Sequence, residues 1–137
     1  MNPVDLISCG ISVISVVAVV AAGGFMLRVV GGRRPANALQ RSYFRAGHAH
    51  AGVLLILGLV LKLLIAMPGI AGWATAFADG PLYAALFIPA GFYFSVLGAD
   101  PTTPNRWRYL IPVGAATLVI GLIGTGIALI LAGAARL

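Results

Sequence analysis

The chain has 137 residues, of which 61% are hydrophobic and only 9% charged, against about one-quarter charged in an average soluble domain. That composition excludes a soluble globular fold, and nine Lys/Arg confined to junctions between apolar runs leave no face for nucleic acid. The single cysteine, Cys9, excludes an intrachain disulfide.

In chain order, the first predicted element is a membrane span over 6–27, free of charge and long enough to cross roughly 30 Å of hydrocarbon. Its leader, "MNPVD", lacks the basic region of a signal peptide, so the span is expected to be retained. Ser8, Ser12, Ser15 and Ala22 recur at spacings of four, three and seven, a small-residue seam of the kind that packs helices in lipid. A polar conduit is the lesser alternative, because serine hydroxyls can bond to their own helix backbone.

The connection that follows carries Arg28, Arg33, Arg34, Arg41 and Arg45. The second span is predicted over 46–67, with Lys62 as its one charge. Lys62 lies about one turn from the end of the span and is expected to snorkel to the headgroups. The only histidines, His48 and His50, fall at the start of this span in "AGHAHAG". Residues two apart on a regular helix project roughly 200° apart, so both cannot ligate one ion from it. Three arrangements stay open: each imidazole faces a different neighbour, the segment unwinds, or paired subunits share a ligand set. No other span holds a histidine, so a haem held by two imidazoles within one chain is excluded. The cofactor reading is therefore a metal, or an intersubunit haem, at His48 and His50. Tyr93 and Asp100 are the only partners expected at that end, where a histidine with Asp100 would make a proton-accepting site or half a metal site.

The second connection, "PGIAGWATAFADGP", has no base, and a third span is predicted over 81–98. Pro89 near its middle removes a backbone donor and leaves the Ala85 carbonyl without its helical partner, which predicts a kink. Broken helices also line transport paths, the alternative role for Pro89. Arg106 and Arg108 occupy the third connection. The last span, over 110–132, places Gly114, Thr117, Gly121, Gly124 and Ala128 at alternating three and four, a second seam. The reading is one all-α transmembrane domain over 1–137, two antiparallel hairpins in a four-helix bundle. Loops of about 18, 13 and 11 residues suit such hairpins.

Seven arginines in the first and third connections face only Lys62 and Arg136 at the opposite ends. By the positive-inside rule both termini lie outside, with the first and third loops in the cytoplasm. Tyr43, Phe44, Trp107 and Tyr109 mark the inner interface, and Trp73 and Tyr83 the outer one. Sliding the chain by 67 residues lays "GGFMLRVVG" on "AGFYFSVLG" and pairs Arg41 with Arg108 and Gly47 with Gly114. Two parallel repeats would make the bundle pseudo-twofold, with the histidines breaking the symmetry.

The stretches "RSYFRAGHAHAGVL", "PAGFYFSV" and "PNR" resemble a family of small bacterial four-span membrane proteins of uncharacterised activity. The resemblance implies the architecture and a bacterial origin and carries no activity with it. No serine, cysteine or carboxylate has a nearby base, so no enzyme is expected. A non-catalytic accessory or scaffold subunit of a larger inner-membrane complex ranks first among functions. An oligomeric small transporter or channel, or a metal- or haem-handling protein, using His48 and His50 near the cytoplasmic face, are the alternatives, with Tyr93, Asp100 and the Pro89 kink as pathway residues. The expected partners are the bilayer and either a larger complex or further copies of the chain.

Overall fold

The computed structural model describes residues 1–137, and every regular element in it is helical. In order these are α1 (Pro3–Val30), α2 (Ala38–Ile65), α3 (Ala74–Ala78), α4 (Gly80–Ser95), a 3₁₀ turn (Arg106–Tyr109) and α5 (Leu110–Ala134). Three stretches are long and apolar enough to cross a membrane: α1, α2, and the turn together with α5. The protein is a helical membrane protein.

Local chemistry explains where the helices differ from expectation. The α1 helix starts at Pro3 because the Asn2 side chain accepts from the Asp5 N–H at 2.8 Å and proline suits the first helical position. The α2 helix starts at Ala38, not Ala46. Asn37 accepts from the Gln40 N–H at 2.9 Å while the Gln40 side chain accepts from the Asn37 N–H at 3.1 Å, a reciprocal capping box. Arg41 and Arg45 are therefore helical, and the first connection shrinks to the turn before Asn37. The predicted third span becomes a two-piece path. Asp79 keeps helical angles between α3 and α4, but Pro81 has no N–H for the Phe77 carbonyl, and the element divides there. Alone, the 16 residues of α4 reach about 24 Å, short of roughly 30 Å of hydrocarbon.

The helices do not form a pseudo-twofold bundle. α4 lies between α2 and α5, whereas α1 rests on α2 and makes no substantial contact with α5. A twofold relating the two hairpins would require the α1–α5 contact as the equal of the α2–α4 one. Accordingly 39% of the membrane window of α2 is buried against 6% of that of α1, which makes α2 central and α1 peripheral.

The second glycine seam packs as expected. A Cβ at Gly121 would lie 2.7 Å from the Phe77 carbonyl oxygen and 2.8 Å from the Gly80 Cα, and one at Gly114 would lie 2.6 Å from Ile88. Backbones this close gain dispersion over a wide area, the main attraction available between helices in lipid. Two small apolar clusters complete the interior: Leu54, Ala84 and Ile88 between α2 and α4, and Met26, Val29, Phe44 and Val96 near the arginine-bearing end.

Candidate functional site

Between α1 and α4, with α2 as back wall, runs a slot of about 650 Å³ lined mostly by apolar residues. It exists because each end of α1 is tied down while its middle is free. At one end the tie is ionic: Lys62 Nζ donates to Asp5 Oδ1 at 2.8 Å and also pairs with Asp79 Oδ1. This triad joins the start of α1, the end of α2 and the α3–α4 junction. The Lys62 and Asp5 side chains are 2% and 9% exposed, so lysine is buried against carboxylates and does not snorkel. Charges held out of water persist only when paired in this way. At the other end the tie is aromatic. Phe44 of α2 packs edge-on to Phe25 of α1 with centroids 5.1 Å apart and stacks on Tyr93 of α4 at 5.5 Å.

Ser8, Ser12 and Ser15 line the slot, but their hydroxyls donate to the carbonyls of Asp5, Ser8 and Ile11 at 3.0, 2.8 and 2.8 Å. The seam that was expected to pack against another helix of the chain borders this slot instead. Pro89 and Tyr93 also line it, from α4.

The two histidines diverge. His48 points at α1, where Gly23 makes room for it: a Cβ there would lie 3.3 Å from the imidazole Cε1. His50 is exposed, with Nδ1 2.7 Å from the Ala46 carbonyl oxygen, a contact only an Nδ1–H can make. Its ring lies 5.4 Å from Phe92. Of the three open arrangements, the helix stays regular and each imidazole meets a different neighbour. No three His, Cys, Asp or Glu side chains converge on a common point. Asp100 joins neither histidine. Its Oδ1 accepts from Asn37 Nδ2 at 2.8 Å, and Gln40 Nε2 donates to the carbonyls of Val96 and Gly98, each at 3.1 Å. Asp100 thus fastens the third connection to the start of α2, about 16 Å along the helix axis from His48. Its φ of 49° falls in the left-handed region that aspartate tolerates better than most residues.

Two polar atoms at the aromatic end are buried without a partner: His48 Nδ1 and the Tyr93 hydroxyl. Such groups cost about 1–3 kcal/mol each when left unpaired. His48 faces Gly23 of α1, whereas the Tyr93 ring of α4 lies over Gly47 and stacks on Phe44. A second, smaller cavity of about 300 Å³ opens beside Arg41 and Arg45, where α2 meets the end of α1.

The triad was not anticipated from the sequence, yet a signal was present. Of three acidic residues in the chain, Asp5 and Asp79 border predicted spans at the same end as Lys62. Comparison with protein-family models, curated proteins and solved structures finds no match.

Proposed function

We propose that this chain is a small, non-catalytic membrane subunit of four spans, with α3 and α4 together as the third, that serves as an accessory or scaffold component of a larger bacterial inner-membrane complex. In this reading both termini lie outside and the arginine-bearing connections face the cytoplasm. The observation that carries it is a pair of unpacked faces. Gly10 and Gly24 on α1, and Gly126 and Gly133 on α5, have nothing within 4 Å of where a Cβ would stand. Their spacings, 14 and 7, are multiples of seven, so each pair shares one face of its helix. Glycine costs a helix about 1 kcal/mol relative to alanine in water and is favoured in lipid where another backbone approaches. The neighbour these faces suit is a helix of another chain.

The test is purification of tagged protein from its native host in mild detergent, with a native gel and mass spectrometry of what travels with it. A larger complex of fixed stoichiometry is expected, lost in Gly24→Ile and Gly126→Ile while the helical circular dichroism of the subunit is unchanged. A lone small homo-oligomer insensitive to both variants would sink the reading. Transport by an oligomer is the second reading, favoured by the slot and the buried ions. It requires liposome flux that vanishes in His48→Ala. Metal or haem handling would need another copy to bring further ligands to His48 or His50.

A further inference from the structure

We propose that the slot between α1 and α4 is a lipid site that takes one hydrocarbon chain of an amine-headed phospholipid, with the ammonium group on Asp79. The slot runs from Val4 to Ala22 along α1, a rise of about 27 Å at 1.5 Å per residue. Spread over that length, even the slot's whole empty space of about 1520 Å³ gives a mean cross-section near 56 Å², below the ~80–110 Å² of a helix 10–12 Å across. A transmembrane helix of a partner does not fit between α1 and α4, and a single extended chain does. Because α1 and α4 do not pack on each other, the slot opens sideways into the hydrocarbon, where lipid chains are the surrounding solvent.

The charges select the head group. Two carboxylates face one ammonium, so the triad itself carries one formal negative charge in excess. Asp79 lines the slot and is 27% exposed, whereas Asp5 is sealed at 9%. A primary ammonium can donate to Asp79 and balance the excess, and a quaternary choline group has no N–H with which to do so. An anionic glycerol head group offers the phosphate without the compensating cation and meets the carboxylate excess directly. A chain anchored there extends past Ser8, Ser12 and Ser15, whose hydroxyls are turned to their own backbone and present an apolar surface.

Native mass spectrometry of the full chain in mild detergent, titrated with phosphatidylethanolamine, phosphatidylglycerol and phosphatidylcholine of identical chains, tests this. One phosphatidylethanolamine should be retained per chain, with at least ~10-fold preference over either competitor. Asp79→Asn, which keeps the Lys62–Asp5 pair, should bring the three lipids to within ~2-fold of one another. Ser15→Phe, which fills the slot without touching the ions, should abolish retention of all three. Equal retention of the head groups by the wild-type chain, or lipid retention unchanged in Ser15→Phe, would overturn the proposal. The second variant also covers the case in which Asp79→Asn fails to fold.

Discussion

The two flanks of α4 are built on opposite principles. Toward α5 the backbones nearly touch: Gly121 admits no side chain against Phe77 and Gly80, and Gly114 none against Ile88. Toward α1 a slot of about 650 Å³ separates the helices, bridged by ions at one end and by aromatic rings and the Met26–Val29–Val96 cluster at the other. Seamless packing makes a rigid hairpin. Clamping a helix at its ends leaves a space that can be occupied, and in lipid that space costs little because the surrounding chains can enter it.

Substitutions can break or sharpen this contrast. The largest effect is expected for Lys62→Met, which leaves Asp5 and Asp79 facing each other without a cation. Breaking a buried pair this way costs about 3–5 kcal/mol, to be read as a fall in the unfolding midpoint in detergent titrated with denaturing surfactant. The triple change Asp5→Asn, Lys62→Met, Asp79→Asn should recover most of that loss. If Lys62→Met alone is silent, the triad is not what holds α1. Next comes Gly121→Ala, whose new methyl meets backbone rather than a yielding side chain. A loss of about 1–3 kcal/mol is expected by the same measurement. The control is Gly52→Ala on the α1 side of α2, where a Cβ would make an ordinary 3.7 Å contact with Val19. It should stay within about 0.5 kcal/mol of wild type. Equal effects at Gly121 and Gly52 would erase the distinction between the tight α4–α5 seam and the looser seating of α1 on α2.

Much of the molecule was legible in its sequence. Hydropathy located the apolar helices, and the Gly114–Gly121–Gly124 seam identified the packed face of α5 by its spacing alone. The start of α2 was written in "NALQ", an N-cap and its glutamine partner, but the first connection was read for its arginines instead. The third predicted span, 81–98, corresponds to the 16-residue α4, and its hydropathy does not reveal the short helix over Ala74–Ala78 that precedes it. Helical periodicity dictates that residues two apart cannot face the same neighbour, but that the segment stays helical rather than unwinding came from the structure.

By itself the sequence determined that this is a helical membrane protein and which of its faces carry small residues, because these depend on composition and period. Tertiary structure alone decided that α1 stands off from α4, that Lys62 is shared between Asp5 and Asp79, and that the serine seam borders a slot. Those outcomes depend on which helices become neighbours, and residues 57 and 17 positions from Lys62 acquire meaning only when the helices bearing them meet.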